Sequence, residues 1–163
     1  MNELGLLWQT DTISPAHEHF ISYLIKQKLV INIEKVQAQK PSKTDKVFVL
    51  SLPMNEIHEL VLMYINYEIL LQGYKAIYLG ESMPIENLKD LKKHFESIVF
   101  LSYFTVQPER NIVNEYVDEM ITQLLDENTS LWYIGRLAAF INMEKRDDKI
   151  VVFNSISDLV DKI

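Results

Sequence analysis

The sequence contains no cysteine. This absence excludes disulfide bonds, thiolate metal sites and cysteine nucleophiles, and it is compatible with a cytoplasmic location, which we expect. The first residues lack the basic segment of a signal peptide, and no apolar run approaches the roughly 20 residues that cross a bilayer. We therefore expect no membrane partner.

Basic residues are also scarce, with 16 lysines and arginines against 23 aspartates and glutamates, which gives a formal net charge of −7. A domain this acidic is not expected to bind nucleic acid through a broad basic face. No recognition helix with basic flanks, phosphate-binding loop or nucleophile elbow is found, and no acid–base pair suited to catalysis stands out. The sequence thus predicts a protein that is not an enzyme and that contacts DNA, if at all, through another domain.

Glycine and proline are few, and they mark the ends of predicted elements. Residues 15–39 form a predicted helix, with Ser14 at its cap and Pro15 in its first turn, and the polar residues 41–46 form a linker. Five apolar runs of strand length then follow, at residues 47–52, 75–80, 97–103, 130–135 and 149–154. Helical segments alternate with these runs, and the fourth helical segment is weak and starts at about Leu137. This alternation predicts an α/β, Rossmann-like or flavodoxin-like, five-stranded parallel sheet with helices on both faces.

Polar or small residues follow the ends of three predicted strands: Glu56 and His58 the first, Ser102 the third and Gly135 the fourth. In parallel sheets ligands bind outside the C-terminal strand ends, at the point where the strand order reverses. His58 can ligate a metal there while a carboxylate holds its other ring nitrogen. It can equally be a partly exposed residue in a first helical turn, with Glu56 as an acid that suits the helix dipole.

The segment from Glu56 through Ser102 resembles the cobalamin-binding domains of B12-dependent enzymes and sensors. Their signature is an acidic residue, one spacer, a histidine, two spacers and a glycine, then a serine at a later strand end and a glycine pair. Glu56, His58 and Ser102 match this pattern. The resemblance implies that His58 is the lower axial ligand of cobalt, in place of the nucleotide base of the cobalamin.

The N-terminal residues are similar to a second pattern. Trp8 is followed by nine residues and then by Glu18 and His19, as in MerR-type transcriptional regulators with a cobalamin sensor. The resemblance implies that these three residues lie over the upper face of the corrin. It also implies that the domain controls oligomerisation and the binding of DNA by a separate N-terminal helix-turn-helix domain. Residues 1–40 would then be the remnant of a helical-bundle cap on a Rossmann-like domain at 47–163. The chain would be a C-terminal fragment of a longer regulator. Its helix over residues 15–39 would have an open apolar face.

Three positions depart from these families. Val61 stands where the signature has its glycine, and Ile134-Gly135 stands where it has the glycine pair. The side chains of Val61 and Ile134 narrow the channel for the displaced nucleotide tail. The cobalamin is then either held less tightly or lost. Gln9 stands where light-responsive members have a histidine, so photoreception of that type is not expected. Two alternatives stay open: a cobalamin-free oligomerisation domain of such a regulator, and a corrinoid carrier subunit of a methyltransferase or mutase.

Overall fold

The computed structural model of the chain describes residues 14–144 and 146–163. Trp8 and Gln9 lie outside this part of the chain. Within it, the long helices and the strands alternate after an N-terminal helix. The helices are α1 (Pro15–Gln37), α2 (Glu59–Leu71), α3 (Ile85–Leu88), α4 (Val113–Leu124) and α5 (Ile156–Lys162), and the strands are β1 (Val47–Ser51), β2 (Lys75–Gly80), β3 (Ile98–Tyr103), β4 (Thr129–Ile134) and β5 (Ile150–Phe153).

The five strands form one parallel sheet in the order β2-β1-β3-β4-β5. The predicted fold class is therefore confirmed. This is the strand order of flavodoxin-like folds, in which the chain reverses direction across the sheet between β1 and β3. The loops that follow β1 and β3 consequently diverge to opposite faces of the sheet, and they leave a crevice at the C-terminal edge between them.

Each face of the sheet is covered by its own apolar layer, because successive strand residues point to opposite sides. Phe48 and Leu50 point toward α2 and α5 and pack with Leu62 and Leu159. On the opposite face Phe100 packs with residues of α3 and α4. Both faces are thus buried, which explains why the strands read as continuous apolar runs rather than as an alternating pattern.

Helix α1 differs from the rest, since none of its residues is fully buried. It packs against α2 through one side, while Phe20 and Tyr23 on its other side are 63% and 68% exposed. The open apolar face expected from the sequence is therefore present on this helix. No helix among residues 14–144 and 146–163 is long and apolar enough to cross a bilayer.

The predicted elements needed two corrections. The helix predicted from about Leu137 is only a single 3-10 turn, Ala138–Phe140. It stops because the Asn142 backbone N–H donates to the Asn114 side chain, at 2.7 Å, instead of to a helical carbonyl. The helical segment predicted between the second and third strands is likewise reduced to α3 and a 3-10 segment, Lys89–Lys93.

Candidate functional site

The loop between β1 and α2 turns a glutamate inward at the C-terminal edge of the sheet. A tight turn is closed by the Glu56 N–H, which donates to the Pro53 carbonyl at 3.1 Å. Within it Asn55 has a φ of +64°, a conformation that asparagine tolerates better than most residues, and its N–H donates to Ser82 Oγ at 3.1 Å. The turn directs the Glu56 side chain into the crevice between β1 and β3, where it is 0% exposed.

The Glu56 carboxylate joins the two loops that border this crevice. Its Oε2 accepts hydrogen bonds from three consecutive backbone N–H groups of the loop after β3, those of Thr105, Val106 and Gln107, at 3.1, 2.6 and 2.9 Å. Its Oε1 accepts from the backbone N–H groups of Ile57 and His58, at 3.0 and 3.1 Å. A buried carboxylate is stable only with such partners, and here five backbone donors supply them.

These contacts set the protonation state of Glu56. Burial by itself raises the pKa of the carboxyl, but hydrogen bonds from the Gln107 and Val106 backbone and from His58 outweigh it and lower the pKa to about 2. The group is therefore an ionised carboxylate at neutral pH, and it can only accept hydrogen bonds.

His58 is oriented by this carboxylate. Its Nδ1 lies 2.5 Å from Glu56 Oε1, and because an ionised carboxylate only accepts, Nδ1 carries a proton; in the neutral imidazole this places the lone pair on Nε2. The imidazole side chain is 51% exposed, whereas the carboxylate that holds it is buried. His58 occupies the residue before the first turn of α2 and makes no side-chain capping bond there, so it is not a conventional helix cap. The arrangement leaves one braced imidazole with a free nitrogen at the surface.

Exposed apolar side chains occur on the two loops that the Glu56 carboxylate joins. Met54, Ile57 and Val106 are 46%, 64% and 46% exposed. Ile57 precedes His58 in the chain, and the Val106 N–H binds the same carboxylate as the imidazole does. Large exposed apolar side chains at a crevice commonly mark a ligand or protein contact. We call the surface formed by Met54, Ile57, His58 and Val106 the edge surface.

Helix α1 begins beyond the edge surface. Lys26 forms an ion pair with Glu59, the first residue of α2, and Glu59 also accepts a hydrogen bond from Tyr78 at 3.0 Å. Pro15 precedes Lys26 by a stretch of helix of about 16 Å. The first turns of α1, with Glu18 and His19, therefore extend past the start of α2 on the side of the sheet edge where His58 lies. Within α1, Glu18 accepts from Ser22 at 3.2 Å and lies 4.0 Å from His19.

The positions beneath the edge surface are packed. Ser102 is 2% exposed, and its hydroxyl donates to the Ser51 carbonyl on the neighbouring strand at 2.7 Å. Val61, one turn into α2, packs against the apolar layer of that face. Ser102 and Val61 thus lie near the Glu56–His58 pair, but both are engaged with the protein itself.

Gly135 is also engaged with the protein. It has a φ of +115°, and a Cβ there would lie 2.5 Å from the Phe104 carbonyl oxygen. The Phe104 N–H in turn donates to the Ile134 carbonyl at 2.8 Å, so the chains after β3 and β4 run in direct contact. Glycine is required because the backbone of Phe104 fills the space that a side chain would occupy.

Two cavities lie away from His58. One, of about 880 Å³, is at the opposite edge of the sheet and includes Lys46, Lys92 and Asp126 in its lining. The other, of about 1000 Å³, lies between α1 and β2 and includes Val30, Met63 and Ile77. Neither is lined by His58. In the part of the chain that the structure describes, no three histidine, aspartate or glutamate side chains converge on a common metal position.

Sequence reasoning did not find the loop after β3 as part of the site. Thr105, Val106 and Gln107 contribute through their backbone N–H groups, which any residue type supplies. The Pro108 that follows shows that the segment is not helical, but it does not show which side chain the donors bind.

Comparisons with known proteins show the fold. No protein-family model matches the chain, and no curated protein matches it. The chain is similar to the monomethylamine corrinoid protein of Methanosarcina barkeri, with 10% sequence identity, a TM-score of 0.72, and coverage of 97% of this chain and 74% of that one. It is also similar to a cobalamin-binding protein from Desulfitobacterium hafniense, with 13% identity, a TM-score of 0.54, and coverage of 98% and 74%. The chain thus has the Rossmann-like fold that these corrinoid- and cobalamin-binding proteins share.

Proposed function

We propose that the chain is a corrinoid-binding module in which His58 is the lower axial ligand of cobalt. The observation that carries this proposal is the braced imidazole: Glu56 is buried, holds Nδ1 of His58 at 2.5 Å and leaves Nε2 free at the switch point of the sheet. Carboxylate–histidine pairs of this kind orient metal-ligating imidazoles and raise their basicity.

The site suits a metal that is already held by a macrocycle. A bare ion needs three or four protein ligands, and no such cluster is present among residues 14–144 and 146–163. A metal in a planar macrocycle needs from the protein only one or two axial ligands, and one imidazole supplies that. The exposed apolar side chains of Met54, Ile57 and Val106 offer contacts for the face of a flat ring.

The residues have separate roles in this proposal. Glu56 fixes the imidazole in the tautomer that ligates a metal through Nε2, and His58 supplies the axial nitrogen. The loop Thr105–Gln107 holds the carboxylate in place through its three N–H groups. A bound corrinoid would bring a cobalt centre able to carry an upper organic ligand. Of the family's other positions, Ser102 and Gly135 serve the packing of the strands rather than the exposed site.

At a finer level, we favour the sensor domain of a MerR-type regulator. The support is the spacing of Trp8, Glu18 and His19, together with the extension of α1 past the edge surface. In this proposal those residues cover the upper face of a cobalamin-type ligand, and ligand binding controls assembly of a homo-oligomer. DNA is bound by a separate N-terminal helix-turn-helix domain, and the domain itself is not an enzyme. The cysteine-free sequence fits a cytoplasmic regulator.

The test is corrinoid retention. The purified protein is incubated in turn with adenosylcobalamin, hydroxocobalamin and cobinamide, which is the corrinoid without its nucleotide loop, then desalted and measured by visible absorption. We expect at least one corrinoid to be retained, and His58→Ala to weaken retention or shift the bands. His94→Ala is the matched control, since His94 is exposed on the 3-10 segment after α3 and lines the cavity at the opposite edge. Colourless protein with every corrinoid would contradict the proposal and favour the cobalamin-free oligomerisation domain.

A corrinoid carrier subunit of a methyltransferase or mutase is the second candidate. It is favoured by the similarity to a protein described as a monomethylamine corrinoid protein. The two functions separate in the loaded protein. A sensor changes its oligomeric mass, measured by light scattering, when the corrinoid is added or removed. A carrier instead exchanges methyl groups with a partner enzyme and keeps its mass.

A further inference from the structure

The strand ends below Glu56 and His58 are buried and paired with one another. Ser51, Ser102 and Tyr133 lie side by side on β1, β3 and β4, in register, and are 5%, 2% and 0% exposed. The Ser102 hydroxyl already donates to the Ser51 carbonyl at 2.7 Å. A ligand that reaches His58 therefore meets a closed floor.

The two flanks of this floor are occupied by the protein's own atoms. On the side of α2, the partly buried Val61 packs against the apolar layer with its branched side chain. On the side of β4, the Phe104 backbone fills the space beside Gly135 so tightly that a Cβ would lie 2.9 Å from the Phe104 nitrogen. The missing side chain of Gly135 thus makes room for the protein's own backbone and not for a ligand. Two cavities of the described part of the chain are lined by other segments, at the opposite edge and between α1 and β2.

This closure matters because cobalamin has a bulky substituent on its lower face. In free cobalamin the nucleotide base at the end of that substituent coordinates cobalt from below. A protein imidazole can take the same coordination position only by displacing the base, and the displaced nucleotide must then find a place. The half-exposed side of His58 opens to solvent, where the tail would gain few contacts.

We infer that the site selects corrinoids whose lower axial position is free, so that cobinamide binds in preference to cobalamin. This inference rests on the proposed function and narrows its ligand class. Cobinamide has no base to displace, and its lower face can lie directly on the edge surface with Nε2 of His58 toward cobalt. The observation behind it is a braced, half-exposed imidazole above packed strand ends.

The test compares the dissociation constants of diaquocobinamide and hydroxocobalamin, measured by visible absorption titration in one buffer. Because specificity is a difference in affinity between ligands, we expect cobinamide to bind at least about tenfold more tightly. His58→Ala should reduce this ratio toward one, and the control His94→Ala should leave it unchanged.

A second readout identifies the ligating nitrogen. After reduction to Co(II), electron paramagnetic resonance of the cobinamide complex should show coupling to one nitrogen, and the splitting should change when the histidines carry ¹⁵N. If cobinamide binds without a histidine nitrogen on cobalt, the inference is wrong.

The outcomes separate the two proposals. Cobalamin binding that equals or exceeds cobinamide binding, and that depends on His58, would overturn the inference while leaving the proposed function intact. Binding of neither corrinoid would overturn the proposed function itself.

Discussion

The two sides of one sheet edge differ sharply in this molecule. Above the strand ends, His58 is half exposed and its apolar neighbours Met54, Ile57 and Val106 are open to solvent. Below them, Ser102 and Tyr133 are buried in a continuous core. Under the proposed function, a ligand is held by one axial bond and flat contact above the edge, with nothing inserted beneath it.

Glu56 belongs to both sides. Its carboxylate is as buried as the core, yet it orients the exposed imidazole above it and anchors the loop after β3. A change at Glu56 should therefore affect folding and ligand binding together, whereas a change on only one side should affect only one of them.

Replacement of Glu56 should have the largest effect. Glu56→Gln keeps the shape but replaces one acceptor oxygen by an NH₂ group that faces backbone donors, so buried N–H groups lose their partner. We expect a loss of about 3–5 kcal/mol in the free energy of unfolding, measured by urea denaturation.

The control for this substitution is Glu109→Gln in the loop that Glu56 anchors. Glu109 is exposed, and the change should alter the free energy of unfolding by no more than about 0.5 kcal/mol. Equal denaturation midpoints for the two variants would show that the carboxylate does not hold the loops.

Acid should reproduce part of this effect in the unsubstituted protein. The pKa of Glu56 is lowered to about 2 in the folded state, below its value in the unfolded chain. The unfolded state then binds more protons, so the contribution is complete above about pH 5 and is lost as the pH falls toward 2. A shift of this size corresponds to roughly 3 kcal/mol. Urea denaturation at a series of pH values should show that, in this pH window, the free energy of unfolding falls more steeply for the unsubstituted protein than for Glu56→Gln. Parallel curves would contradict the lowered pKa of Glu56.

Gly135→Ala tests the packed side of the edge alone. The φ of +115° disfavours a side chain, and the added Cβ would also meet the Phe104 carbonyl at 2.5 Å. We expect destabilisation of about 2–3 kcal/mol in thermal or urea unfolding. Gly80→Ala is the matched comparison, because Gly80 also has a positive φ, +78°, but its nearest contact is a Tyr78 ring atom at an ordinary 3.6 Å. If Gly80→Ala destabilises the protein as much as Gly135→Ala does, the positive φ alone causes the loss. The contact between the added Cβ and the Phe104 carbonyl would then contribute nothing.

Much of the fold could be predicted because it is encoded locally. The strand over residues 75–80 was predicted with its observed bounds, and Gly73 ends α2 with a φ of +84° as its residue type indicates. Ser155 caps α5 through the Asp158 N–H, at 3.0 Å. A long-range contact explains why the helix predicted from about Leu137 was wrong. The residues after Ala138 are apolar enough for a helix, but their backbone bonds to Asn114 on α4 instead.

The candidate site could be predicted only in part. Glu56 and His58 carry a recognisable spacing, and their positions at a strand end follow from the order of the elements. The three N–H donors of the loop after β3 are about fifty residues away and have no side-chain signature. The closed floor also depends on which way the Ser102 hydroxyl points, and sequence alone does not give that direction.

Replacement of His58 should have the smallest effect on folding and a large one on ligand binding. His58→Ala removes one hydrogen bond from Glu56, whose Oε1 still accepts two backbone N–H groups, and water can reach the vacated half-exposed position. We expect the free energy of unfolding to change by no more than about 1 kcal/mol. A corrinoid that binds only the folded protein should raise its melting temperature, and this rise should disappear in His58→Ala. If His58→Ala were as unstable as Glu56→Gln, the imidazole would be part of the packed core, and the contrast between the two sides of the edge would fail.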